Sequence, residues 1–185
     1  MQQPSRAASG FTLLEVMVVV AIVALLAALA VPSFGSYARR SKTSEAPALL
    51  KQLFFGASVY YSAVHPDQGL ALTGPKTHCV LDANAGPLPA TAPPGGKALV
   101  DFYADPGFRA LGFAADGPVY FRYTAGLGPD GASCSNGPNE HLYNLQAEAD
   151  LDGDGTTSFF ELAAGSNDQN ELYHSPGFYI SNELE

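Results

Sequence analysis

Apolar and polar positions divide the chain into three regimes. After a polar head at residues 1–10, Phe11 to Val31 is apolar on every side except at Thr12 and Glu15, and no further charge appears until Arg39. As a helix this stretch would cover roughly 30 Å at about 1.5 Å per residue, the thickness of a bilayer core. Beyond Pro32 helical spacing persists but becomes one-sided. Leu49, Leu53, Ala57, Tyr60 and Val64 recur at intervals of three or four, with Leu50, Phe54 and Tyr61 alongside. The pattern predicts one helix from Phe11 to about Val64, roughly 80 Å long. Its first half is apolar all round, as a lipid-facing segment requires, and its second half buries one face. Pro32 and Pro47 each remove an internal hydrogen bond and are expected to bend or locally melt it. His65-Pro66-Asp67-Gln68-Gly69 reads as its stop.

The third regime is short and punctuated. From Leu70 to Lys97 the chain is rich in Pro, Gly, Ala and Thr, as in Gly86-Pro87-Leu88-Pro89 and Pro93-Pro94-Gly95-Gly96, which predicts a loop over 67–98 with at most a short strand at Thr77–Leu81. Strand composition then returns at Leu99–Tyr103, Val119–Tyr123, Leu142–Ala149, Thr156–Leu162 and Gly177–Ile180. A helix followed by a run of strands joined by turns predicts an α+β unit with an antiparallel sheet. No internal repeat is present.

The junction Gly10-Phe11-Thr12-Leu13-Leu14-Glu15 changes the picture. A carboxylate near a bilayer centre costs about 2.5–3.5 kcal/mol, less near an end, so Glu15 needs a reason to stand inside the apolar run. An ordinary secretory signal is cut after its apolar core; here the small residue Gly10 precedes the core, which would stay on the mature protein. This arrangement resembles the class III signal peptide of type IV pilins and pseudopilins. The resemblance implies cleavage between Gly10 and Phe11 by a prepilin peptidase, N-methylation of Phe11, and the type IV pilin fold, in which a long N-terminal helix packs on a C-terminal antiparallel sheet. It also implies a division into a leader at 1–10, a transmembrane or filament-core half-helix at 11–34, an amphipathic half-helix at 35–66 and an exported head at 67–185. The expected function is a structural subunit of a type IV pilus or related filament, not an enzyme. A type II secretion pseudopilin, or a minor pilin with an adhesive or DNA-binding role, is the alternative. Expected partners are other filament subunits, the peptidase, an inner-membrane assembly platform and the membrane itself. The subunit would wait in the bacterial inner membrane as a single-pass protein, then join a surface pilus or periplasmic pseudopilus. Glu15 would neutralise the amine of Phe11 in an adjacent subunit.

Charge refines this reading. Net charge is −9, and loss of the leader with Arg6 makes it −10. An acidic head disfavours nucleic acid, whose binding is driven by Lys and Arg. Only Arg6 precedes the apolar span whereas Arg39, Arg40 and Lys42 follow it, opposite to the positive-inside rule; the resemblance nevertheless places the N-terminus in the cytoplasm. These three cations stand where they can meet headgroups and Glu45, or form a solvated helix face. Cys79 and Cys134 both fall in the exported head and read as one disulfide, closing a loop of roughly 55 residues worth about 4 kcal/mol in the chain-entropy model, with two buried thiols as the alternative.

The last signal is Asp150-Leu151-Asp152-Gly153-Asp154-Gly155-Thr156-Thr157-Ser158-Phe159-Phe160-Glu161. Asp150, Asp152, Asp154, Thr156 (through its carbonyl), Ser158 and Glu161 have the spacing of an EF-hand Ca²⁺ loop, whose alternate residues converge on one hard cation. The flanks are strand-like and Thr157 replaces the usual aliphatic residue, so an Asp/Gly hairpin turn is the competing reading. Asp150, Asp152 and Asp154 are the safer ligands; Glu161, far along a strand, is placed to point elsewhere. Acidic turns of this kind recur in pilin-like heads, and several pseudopilins hold calcium in C-terminal loops. His65, His78, His141 and His174 are scattered, and no catalytic or phosphate-binding motif is present, so neither catalytic residues nor an organic cofactor are expected.

Overall fold

The computed structural model describes residues 10–65 and 76–185. The leader up to Ser9 and the helix-stop residues 66–69 lie outside them. Helix α1 spans Leu13–Thr43 and α2 spans Glu45–Ser62. Together they form the long apolar N-terminal helix, and they contain the one stretch among the described residues long and apolar enough to cross a membrane. The assignment continues as helix through residue 32, so no melting occurs there. It is interrupted at Ser44 instead. Pro47 explains the position, because a proline ring clashes with the carbonyl three to four residues earlier and supplies no N–H to it.

The chain forms two compact units, one ending at Ala38 and the other Arg39–Glu185. In the first, Leu13, Leu14, Met17, Ile22, Leu25 and Leu29 are all more than half exposed. In the second, α2 buries Ala46, Leu50, Leu53, Ala57 and Tyr61. The buried stripe is therefore rotated from the expected one: Leu49, Phe54 and Tyr60 flank it, and Val64 is 61 % exposed.

Against α2 stands an antiparallel sheet of six strands. They are β1 (Ala85–Leu88), β2 (Arg122–Leu127), β3 (His141–Ala149), β4 (Ser158–Ser166), β5 (Leu172–His174) and β6 (Tyr179–Ser181). The order is β1-β2-β3-β4-β5, with β6 also pairing with β4. β3 and β4 show the alternation that half-buried strands require: Leu145 and Ala147 are buried while Asn144, Gln146 and Glu148 lie outward. The α+β architecture and the long helix agree with the pilin-type expectation.

Several elements differ from the expectation. Thr77–Leu81 is not a strand, and β1 forms instead in the Pro/Gly-rich segment, at the sheet edge where a proline is tolerated. Leu99–Tyr103 gives way to a 3₁₀ turn at Phe102–Ala104 and a short helix α3, Pro106–Ala110. The cause is local. Asp101 accepts from the Tyr103 N–H, and Asp105 accepts from the N–H groups of Gly107 and Phe108 with Pro106 in the first turn. The strand expected at Val119–Tyr123 begins at Arg122, and β5 had no sequence signal. Phe102, Phe108, Phe113 and Tyr123 form a cluster of aromatic ring contacts within the core.

Candidate assembly helix and acidic loop

The start of α1 is a capping box. Thr12 Oγ1 accepts from the Glu15 N–H at 3.2 Å, and Glu15 Oε2 accepts from the Thr12 N–H at 3.5 Å. Two backbone donors that no helix turn can satisfy are thereby paired reciprocally. Glu15 thus has a helix-terminating role within one subunit, which the Thr12-x-x-Glu15 spacing signals. Gly10 and Phe11 precede the helix, and the Phe11 side chain is 84 % exposed. Among the described residues, Gly10 to Glu15 are all exposed, open to an enzyme or a neighbour.

The acidic loop joins β3 to β4. Carboxylate oxygens of Asp150, Asp152 and Asp154 lie within 4.8 Å of one another, close enough to hold one metal ion. Two glycines make the turn possible, Gly153 at φ +84° and Gly155 at φ +92°, a region costly for residues bearing a Cβ. Asp150 is almost buried, and both its oxygens are used by the loop: Oδ1 accepts from the Gly153 N–H at 2.7 Å, Oδ2 from the Gly155 N–H at 3.1 Å. Asp154 Oδ1 accepts from the Thr156 N–H at 2.7 Å.

Ser158 and Glu161 are not brought to this cluster. Ser158 is fully buried and donates its hydroxyl to the Ala149 carbonyl, while Glu161 accepts from Gln146 Nε2 across the strand pair at 2.8 Å. Both lie on β4, where the strand runs away from the loop instead of curling round it as the helix of an EF-hand would. Only the three aspartates of the six-residue set converge as side chains.

Two of the three cations beyond the apolar span, Arg39 and Lys42, have a destination that the sequence does not disclose. Arg39 Nη1 donates to Asp152 Oδ2 at 2.5 Å, and Lys42 Nζ donates to the carbonyls of Leu151 at 2.8 Å and Gly95 at 3.2 Å. They brace the acidic loop and do not pair with Glu45. Glu45 Oε1 instead accepts from the N–H groups of Tyr120 and Phe121 and from the Tyr123 hydroxyl. Cys79 and Cys134 are joined in a disulfide that ties the segment before β1 to the turn before β3.

Fold and N-terminus together define a class: an α+β protein whose exposed apolar helix precedes a compact head. A family model described as the prokaryotic N-terminal methylation motif matches residues 5–31. That motif is the hallmark of type IV pilin and pseudopilin precursors, and it supports a pilin-like structural subunit anchored in a membrane before assembly. Neither the curated proteins nor the solved structures give a match to this chain.

Proposed function

We propose that this chain is the precursor of a structural subunit of a type IV pilus or pilus-like filament. In this reading a prepilin peptidase cuts between Gly10 and Phe11, Phe11 is methylated, and the subunit is held in the bacterial inner membrane until its helix is packed among others. The carrying observation is the methylation motif at 5–31 fused to a helix that leaves its apolar side chains uncovered. Such a surface is stable in lipid or among like helices and not in water.

Glu15 is the assembly residue in this reading, set opposite the amine of Phe11 in a neighbour. Because it also closes the capping box, one substitution does not isolate its charge. Glu15→Gln keeps a side chain able to serve the cap and removes only the charge. Both Glu15→Ala and Glu15→Gln are expected to be cleaved normally and to yield few or no sheared filaments. Normal filaments from Glu15→Gln would reduce Glu15 to a helix cap.

A finer reading concerns the loop: the triad Asp150, Asp152, Asp154 takes a calcium ion in the exported head. The convergence of the three carboxylates supports it. The hard oxygen donors suit that ion, and the Thr156 carbonyl and water would complete its shell.

A further inference from the structure

Near the end of α2 one buried amide ties three segments together. Asn136, 4 % exposed, donates from Nδ2 to the His78 carbonyl at 2.7 Å, and its own carbonyl accepts from Asn170 Nδ2 at 3.0 Å. Asn170 Oδ1 in turn accepts from the hydroxyl of buried Tyr61 at 2.7 Å. The chain before Cys79, the turn between β4 and β5 and the last turns of α2 are thereby fixed around one cleft. His78 and Asn170 both sit at positive φ, +51° and +60°, a backbone conformation that these bonds hold in place.

The cleft has a volume of about 440 Å³, in the range of small-molecule sites, about 300–1,000 Å³. Ser58 and Ser62 border it on the helix side and Glu171 on the turn side. Its inner wall is aromatic, with the His78 and Tyr61 rings 5.3 Å apart. The acidic loop of Asp150, Asp152 and Asp154 lies at the other end of β4, so the two features are separate.

Negative potential reaches this cleft from more than one side. Helix α2 ends here, at Ser62, with no basic side chain in its last turn to answer the partial negative charge of a helix C-terminus. On the turn side the exposed Glu171 stands at the rim. Behind the wall, near Tyr61 and outside the cleft itself, is Glu140. Its Oε2 is buried without a hydrogen-bond partner among the described residues. The Tyr61 hydroxyl pKa is raised by burial first and, against the opposing effect of Ser166, by the charge of Glu140. No lysine or arginine is among the described residues of the lining. A cation would meet a carboxylate at one end, helix carbonyl dipoles at the other and aromatic faces between. We propose that this cleft binds an alkyl diamine or polyamine, with one ammonium at Glu171, another towards the C-terminus of α2 and the methylenes against the ring wall. Such a site goes beyond the filament-subunit reading and does not depend on assembly.

The test uses the full chain in micelles of an uncharged detergent. The buffer is at about pH 8, above the ordinary histidine range, with about 0.15 M salt to screen diffuse attraction to an acidic surface. Saturation-transfer NMR is run with putrescine, spermidine, butylamine, N-acetyl-lysine amide and butanediol. Putrescine and spermidine are expected to bind, the two single-ammonium probes more weakly, and the uncharged diol not at all. Glu171→Gln should weaken putrescine about tenfold or more, the scale of a lost charge-assisted hydrogen bond. Ser58→Leu, which fills the cleft without altering charge, should do the same. Asp116→Asn removes an equal charge at an exposed site between α3 and β2 and should change nothing. No binding of putrescine or spermidine overturns the proposal. So does binding that survives Glu171→Gln, which would be diffuse attraction to an acidic chain. Equal affinity for N-acetyl-lysine amide and putrescine would also overturn it and assign the cleft to a lysine of a protein partner.

Discussion

Glu45 shows how much one side chain can organise. Its Oε1 gathers two backbone N–H groups and the hydroxyl of Tyr123, at 2.8 Å from Tyr120 N, 3.3 Å from Phe121 N and 3.2 Å from Tyr123 Oη. It thereby links the first turn of α2 to the segment leading into β2. Tyr123 has no exposed surface. Burial first, then the charge and hydrogen bond of Glu45, push its hydroxyl pKa far above the ordinary value. Burial likewise raises Tyr143, against a smaller opposing effect of the Leu81 N–H that its hydroxyl accepts. A tyrosine that stays protonated when folded but ionises when unfolded contributes stability that is complete below the unfolded pKa and is lost as pH rises above it. The head is therefore expected to lose stability above about pH 10, approaching about 1.4 kcal/mol per pH unit for each of the two residues. Urea denaturation of the head from Gly35 onward, across that range, measures the slope. Tyr123→Phe should make the slope shallower by up to about 1.4 kcal/mol per pH unit; an unchanged slope would remove Tyr123 from the account.

Among the elements, α3 depends on its cap. Asp105 Oδ1 accepts from the N–H groups of Gly107 at 2.8 Å and Phe108 at 3.1 Å, while Oδ2 accepts from the Gly86 N–H of β1 at 3.2 Å. One carboxylate thus starts a helix of five residues and fastens it to the sheet edge. Phe108, fully buried, enters the aromatic cluster from that helix. Asp105→Ala is expected to destabilise the head by about 2 kcal/mol, the upper end for a lost N-cap, and Asp105→Asn by less, read as a shift in urea midpoint. An Ala variant within error of the parent would mean that burial of Phe108 alone holds α3. The same contrast explains what the sequence discloses. The long helix, β3 and β4 are legible because apolar periodicity runs through nine or more residues. β1 and β5 have four and three residues and exist because a longer strand offers an edge, so composition does not reveal them. Phe102–Ala110 misleads because its aromatic residues have strand propensity, while Asp101 and Asp105 cap turns. In the candidate site the aspartate spacing and Thr12-x-x-Glu15 are local patterns and readable. Arg39 and Lys42 reach partners more than one hundred positions away, and no sequence period encodes that.

For the whole molecule, the question is where charge is balanced. The chain has 18 acidic and 9 basic side chains, and Asp150, Asp152 and Asp154 converge in one turn. Sequence spacing alone leaves their mutual repulsion to be relieved by a bound cation. In the structure Arg39 and Lys42 already supply positive charge there, both within the unit Arg39–Glu185. The buried core also lies wholly in that unit, from Ala46 to Ala164, so its cohesion does not draw on the apolar residues upstream. In the proposed calcium reading, the ion is then expected to be an increment to head stability and not a condition for folding. A head beginning at Gly35 should fold in chelator, and its melting temperature should rise in millimolar calcium. An ion at ten times its Kd adds about 1.4 kcal/mol when it binds the folded state alone. Asp154→Ala should abolish the rise at little cost in chelator, since that carboxylate is exposed and its oxygen accepts only from the Thr156 N–H of its own turn. Arg39→Gln should enlarge the rise, because the guanidinium occupies Asp152 Oδ2, an oxygen the ion would need. Equal melting temperatures in calcium and chelator, for both the parent and Arg39→Gln, would leave the loop as a turn whose counterions are its own arginine and lysine.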